Sequence, residues 1–241
     1  GITISSLEKI NPDMVLINPN FIAENGMSMP VSRRLELIKW AKENDCIIIE
    51  DDYNGELRYS THPMPCVQNY DIENTVYLGS FSKILAPGIR VAYAVVPKKC
   101  AGAFTIGKQV SDVHTGVLNQ MIVSRWFDEY DVNAHIENIR KIYKHKLDLM
   151  CDSLDKYCNG FITYVRPQGG LFIWAKLPDD VDMLDYVNKL VERKVAVVPG
   201  SAFMTDDTKP CHYIRLNFST PSDENIVQGV KIMGEVAKLY K

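Results

Sequence analysis

The 241 residues are 46% hydrophobic and 24% charged, with 27 basic and 30 acidic side chains and a net charge of −3. That balance is ordinary for a globular chain, large enough for one big domain or two modest ones, and gives no basis for an electrostatic grip on nucleic acid or an anionic membrane. No apolar run approaches a membrane span, and the six scattered cysteines (Cys46, Cys66, Cys100, Cys151, Cys158, Cys211) form no C-x-x-C pair, which fits a reduced, cytoplasmic setting without a metal site.

In chain order, Met14–Ile17 reads as a strand. Pro30–Asn44 reads as a helix with Val31, Leu35, Ile38 and Ala41 on one face. Three more short apolar or β-branched runs follow, at Cys46–Glu50, Thr75–Leu78 and Val91–Val96. Uninterrupted apolar strands separated by helices or long connections predict a mainly parallel α/β sheet covered on both faces. Residues 104–127 look helical, and 133–158 more strongly so. In the second stretch Ile136, Ile139, Tyr143, Leu147, Met150 and Leu154 step by three and four, and Asn159-Gly160 supplies the stop. Strands then return at Phe161–Val165, Leu171–Ala175, Val195–Val198 and Tyr213–Phe218, with helices near Met183–Arg193 and Asp223–Tyr240. This mixture predicts a second, smaller α+β domain.

Three stretches carry chemistry. In YLGSFSKILAPGIRVAY (77–93) a strand delivers Lys83 to its carboxyl end, where α/β sheets bind ligands. The hydroxyls of Ser80 and Ser82 and the Arg90 guanidinium make a phosphate site, since a dianion wants neutral donors plus a planar cation. Taken alone, a Ser-x-Ser-Lys tetrapeptide also describes a surface loop with a solvated lysine. IIIEDDY (47–53) brings two carboxylates and Tyr53 to the end of a buried strand, where an acid needs a partner such as a protonated ring nitrogen. The plainer alternative is one helix-capping aspartate beside an exposed one. In YIRLNFS (213–219), Arg215 sits inside an apolar strand pattern, either as a partly exposed edge residue or as a cation reaching into a cleft for a carboxylate.

Together these segments resemble the class I/II aminotransferases of pyridoxal-5′-phosphate (PLP) fold type I, from about Val15 to the end of the chain. S-F-S-K-x-L-x-P-G-x-R follows a strand ending E-D-D-Y by about thirty residues, and GGLFIW, PGSAF and IRLNF arrive in the family's order. MPVSRRLELIKWA (29–41) and the spacing of His135, Ile136, Arg140 and Tyr143 further resemble the MocR/GabR group, in which a GntR-type winged helix-turn-helix precedes an aminotransferase-like domain. Stand-alone aminoadipate-type aminotransferases share most of these motifs.

The resemblance implies a PLP cofactor held as a Schiff base on Lys83, which also shuttles the proton during transfer. Asp51 resembles the carboxylate that keeps the pyridine nitrogen protonated, with Asp52 one residue away as the alternative. Tyr53 resembles the partner of the cofactor's O3′. Ser80, Ser82 and Arg90 resemble the phosphate ligands, and Arg215 the clamp on a substrate carboxylate. Residues 1–130 correspond to the C-terminal part of the PLP-binding large domain and 131–241 to the small domain.

One departure stands out, because NPNFIAENG (18–26) places Ala23 where a polar or aromatic O3′ contact is expected, so that either Asn20 or Asn25 substitutes for it or the contact is missing. The Gly-containing phosphate loop and the ring that stacks on the pyridine find no counterpart before Val15. The chain therefore reads as a C-terminal fragment, expected to bind PLP weakly or not at all and to be inactive alone. Its implied partners are an amino-acid substrate or effector and a second copy in a homodimer, with DNA contacted only through a domain outside this chain and no membrane. Three functions follow from the resemblance: the effector-sensing domain of a MocR-type regulator, which the motifs favour, a metabolic aminotransferase, and a degenerate dimerisation module.

Overall fold

Short β-branched runs that cannot be amphipathic helices pair side by side in the N-terminal half. A computed structural model describes residues 2–22, 26–60, 62–206 and 208–240. It divides into two compact units, one of residues 1–20 and 28–138, the other of 21–27 and 139–241.

In the first unit, β1 (Met14–Ile17), β2 (Ile47–Asp51), β3 (Thr75–Ser80) and β4 (Ala92–Val95) form one sheet in that order. The first three run parallel, and β4 returns antiparallel with Gly79 opposite Tyr93 and Ser80 opposite Ala92. Helices α1 (Ile4–Ile10) and α2 (Val31–Glu43) belong with it, and Leu7, Val15, Ile17, Leu37, Trp40, Ala41 and Ile48 share one buried cluster. The opposite face is not fully covered within this chain, contrary to expectation. Met14 and Leu16 are 63% exposed, and β4 is exposed along its length.

A second difference lies in α2. Its buried positions are Arg34, Leu37, Ile38, Trp40 and Ala41, whereas Leu35 faces water. The buried face follows i, i+3, i+4, i+7 from residue 34, and its first member is an arginine, so a reading by apolar residues alone rotates the helix. The stretch that looks helical over 104–127 falls in two helices, α3 (Lys98–Asp112) and α4 (Val117–Glu129), broken at Val113, which adopts a positive φ of 65°.

The division between units falls within the sequence of α5 (Val132–Tyr157). In the second unit, β5 (Thr163–Tyr164), β6 (Phe172–Lys176), β7 (Val198–Pro199) and β8 (Tyr213–Asn217) form an antiparallel sheet of order β5-β6-β8-β7. Ile173, Ala175, Ile214 and Leu216 make its buried face. Helix α6 (Met183–Glu192) starts at Asp182, whose carboxylate accepts from the Leu184 and Asp185 amides, and α7 (Asp223–Ala237) starts at Ser222, which accepts from Asn225. The buried Tyr186 hydroxyl donates to the Met233 carbonyl at 2.9 Å, joining α6 to α7.

Two glycines of α7 make a paired test. A Cβ at Gly234 would lie 2.2 Å from the Tyr157 carbonyl oxygen, whereas one at Gly229 would meet nothing within 4 Å. Gly234→Ala is expected to lower unfolding stability by about 2 kcal/mol, because rigid backbone must move. Gly229→Ala is expected to raise it by up to ~1 kcal/mol through helix propensity. Urea unfolding of both variants checks this, and equal effects would contradict the close packing of α7 on the end of α5.

Candidate functional site

Strand alternation assigns the acids at the end of β2 to different jobs. Ile48 and Glu50 turn toward the packed side, while Ile47, Ile49 and Asp51 turn to the other. Glu50 is fully buried and accepts from the main-chain amides of Val67 at 2.9 Å and Gln68 at 3.0 Å, capping the 3-10 turn Val67–Asn69. Burial pushes its carboxyl up, and those two amides oppose the rise. Asp52 accepts from Asn20 Nδ2 at 2.7 Å and from the Tyr77 hydroxyl at 3.1 Å. Burial raises its carboxyl as well, against the Asn20 and Tyr77 bonds. Neither aspartate is a helix cap or an exposed neighbour, and both are half-buried.

Asp51 is the acid of the three that lines a cleft. Asn18 Nδ2 donates to its main-chain carbonyl at 3.0 Å. The residue lines an open cleft of about 850 Å³ in the first unit, together with Leu78, Ser80, Arg90, Tyr93 and Lys108. Burial holds the Asp51 carboxyl above its ordinary value, with Asn18 pulling the other way.

The turn after β3 gathers the remaining residues singled out in that stretch. Ser82 N donates to Ser80 Oγ at 3.2 Å, and Arg90 Nη1 donates to Ser82 Oγ at 3.4 Å and to the Pro87 carbonyl at 3.1 Å. Arg90 itself takes a left-handed φ of 51°, which folds its side chain back on the turn. Lys83 is half-buried and has no hydrogen-bond or ion-pair partner among the described residues. Ser82, Lys83 and Tyr53 are not among the described residues lining the cleft. Tyr53 lies half-buried in the turn that follows β2.

This loop is held by residues whose role the sequence did not disclose. His135 Nε2 donates to the Ile84 carbonyl at 2.8 Å, and its ring stands edge-on to Trp126 at 5.7 Å. Asn119 Nδ2 donates to the Ile89 carbonyl at 2.9 Å. His135 and Ile84 are 51 residues apart, so no local signal links them. The position expected to contact O3′, Ala23, lies outside the described residues, as does Asn25.

The donor set suits PLP. Two hydroxyls, a main-chain amide and a guanidinium answer a phosphate dianion, an amine free of partners answers an aldehyde, and a half-buried carboxylate answers a pyridinium. In the second unit, Arg215 is half-buried on interior strand β8, its guanidinium carbon 4.1 Å from the Phe172 ring centre and 4.4 Å from that of Phe203. Trp174, its register partner, stacks on Tyr213 at 5.5 Å. The aromatic rings of Phe172 and Phe203 thus pack against the guanidinium.

The family model described as aminotransferase class I and II matches residues 8–232. Aromatic-amino-acid aminotransferase 1 of Thermococcus litoralis is 36% identical over 222 residues, covering 91% of this chain and 53% of that protein. The crystal structure of an α-aminoadipate aminotransferase from Thermus thermophilus, complexed with N-(5′-phosphopyridoxyl)-L-leucine, superposes with a TM-score of 0.91 at 31% identity, over 99% of this chain and 63% of that one. YdeL of Bacillus subtilis, named as an HTH-type transcriptional regulator, is 29% identical over 96% of this chain and 50% of its own length. The chain thus spans about half the length of the curated relatives it matches.

The raised Asp51 carboxyl has a consequence for stability. Above the ordinary carboxylate pKa of about 4, the unfolded chain releases a proton that the folded chain retains, so stability falls as pH rises through the raised value. Asp51→Asn removes this penalty. The variant is expected to unfold at higher urea than the unsubstituted chain at pH 7 and to converge with it near pH 3.5. A variant less stable at pH 7 would contradict the burial described for Asp51.

Proposed function

This chain belongs to the class I and II aminotransferase family, and on that premise we propose that it binds PLP through Lys83 and uses it to move amino groups between an amino acid and a 2-oxo acid. Members of the family depend on PLP. The observation that carries the reading is the turn after β3, where Ser80, Ser82 and Arg90 are bonded together beside a half-buried Lys83 that has no partner among the described residues.

When bound, the cofactor supplies an electron sink for the carbanion left by loss of the Cα proton. The chain's own residues do the rest. Ser80, Ser82 and Arg90 hold the phosphate, and Asp51 keeps the ring nitrogen protonated. Tyr53 hydrogen-bonds O3′, and Arg215 takes the substrate carboxylate. Lys83 would hold the cofactor at its aldehyde end and would supply the amine that carries the transferred proton. Homodimerisation belongs to the same reading. It is supported by Leu118, Met121 and Ile122, which leave an apolar face of α4 open to solvent.

A second reading, an effector-sensing domain of a MocR-type regulator, is supported by the 29% identity to YdeL over nearly the whole chain. The enzyme reading is preferred because the relatives at 36% and 31% identity are named as aminotransferases. In the regulator reading the same residues hold PLP and an amino acid, and DNA contact lies outside this chain. No helix among the described residues is long and apolar enough to cross a membrane.

PLP titration followed by visible absorbance tests the common part. Lys83→Ala is expected to abolish the visible band and weaken binding by at least about tenfold, roughly 1.4 kcal/mol. Equal binding by the two proteins would remove Lys83 from the site. Adding amino acids to the PLP-loaded chain separates the readings. Loss of the visible band with release of a 2-oxo acid supports transfer, and a shifted but persistent band supports sensing.

A further inference from the structure

The side of β2 opposite the cleft carries a chain of hydrogen bonds that the reaction just described does not use. Arg34 of α2 is fully buried, and its guanidinium donates to the carbonyls of Met29 at 2.9 Å, Pro65 at 2.9 Å and Pro19 at 3.2 Å. Its remaining bond, 2.7 Å from Nη2, goes to Asn20 Oδ1. Asn20 passes the interaction on, because its Nδ2 donates to Asp52 Oδ1 at 2.7 Å. The other oxygen of Asp52 accepts from Tyr77 at 3.1 Å. The Tyr77 ring stands 6.1 Å from that of Tyr93, which lines the cleft.

Every link in this chain has a defined sense. A guanidinium only donates, so the Asn20 amide must present its oxygen to Arg34 and its nitrogen to Asp52. The carboxylate of Asp52, an acceptor on both oxygens, is then held from two sides. Burial works against the Arg34 charge, and Glu50 and Asp52 nearby sustain it. The turn also closes tightly over Asp52, since a Cβ at Gly55 would lie 2.3 Å from its Oδ2. Two adjacent acids thus have opposite fates. Asp52 is tied into the helix side of the sheet, and Asp51, one residue earlier, is left facing the cleft.

We propose that Asp52 is a positioning residue: by anchoring the strand end to Asn20, Arg34 and Tyr77, it fixes the direction of the Asp51 carboxylate and decides which acid of the pair meets the cofactor's ring nitrogen. This rests on the reading of Asp51 given above. A side chain can be held within the tolerance that such a bond requires only when its supporting groups are themselves locked. Asn20 and Arg34 are the first links of that support, and Tyr77 secures it from β3.

The test uses the full chain loaded with PLP labelled at the pyridine nitrogen, with four variants: Asp51→Asn, Asp52→Ala, Asp52→Asn and Tyr77→Phe. Three readouts are taken, namely PLP affinity, the nitrogen NMR position of the bound ring, and the thermal midpoint without PLP. Asp52→Ala is expected to weaken PLP binding by about tenfold and to move the ring nitrogen toward its unprotonated position, as Asp51→Asn does. Asp52→Asn keeps an acceptor oxygen of the same shape and is expected to recover most of that loss. Tyr77→Phe keeps the ring packing and is expected to give a smaller shift in the same direction, even if Asp52→Ala does not fold.

If Asp51→Asn weakens binding while Asp52→Ala and Tyr77→Phe leave affinity and the ring nitrogen unchanged, the positioning role is wrong and the reading of Asp51 stands. A lower thermal midpoint with an unmoved ring nitrogen likewise overturns the proposal, because it marks a purely structural contact. If Asp51→Asn binds as the unsubstituted chain does, the assignment of Asp51 itself has failed.

Discussion

Charge buried at the end of a parallel strand is the condition around which the first unit is arranged. The end of β2 and the residue after it carry three carboxylates in a row, Glu50, Asp51 and Asp52, into a region where isolated charge is strongly disfavoured. Two of them are matched to fixed donors. Glu50 finds the amides at the start of a 3-10 turn, and Asp52 finds Asn20 and Tyr77. Arg34, which has no exposed surface, satisfies the carbonyls of three separate loop positions while facing these acids. Asp51, one residue before Asp52, lines the cleft instead, and burial raises its carboxyl, a cost that a cationic partner would offset.

The second condition is local. Ser80, Ser82 and Arg90 are close because the chain turns sharply after β3 and returns in β4, and Arg90 accepts a left-handed backbone to fold back on the turn. His135 and Asn119 then secure the loop from α5 and α4. Lys83 lies between these restraints without a partner of its own among the described residues. An amine placed so loses little on exchanging one bonding partner for another, which supports the role proposed for Lys83.

The legible and illegible parts of the sequence separate along physical lines. Ser80, Ser82, Lys83 and Arg90 fall within eleven residues, and a contiguous turn keeps its members together whatever surrounds it, so a motif was enough to group them. The stripe of α5 was readable because Leu147, Met150 and Leu154 are buried apolar residues at helical spacing. Arg34 was not readable as a buried residue, since hydrophobic periodicity treats a guanidinium as surface, and the face of α2 was misplaced for that reason. The break between α3 and α4 was also hidden, because Val113 takes a positive φ without being a glycine. The link from His135 to Ile84 depends on the folded chain alone.

The central claim is that Lys83 is the amine that holds the cofactor. The cleft offers a competitor in Lys108, which lines it directly. Borohydride reduction of the PLP-loaded chain, followed by peptide mapping, discriminates between them. The account predicts a single phosphopyridoxyl adduct on Lys83, with proteolytic cleavage after that residue blocked. An adduct on Lys108, or one spread over several surface lysines, would contradict it.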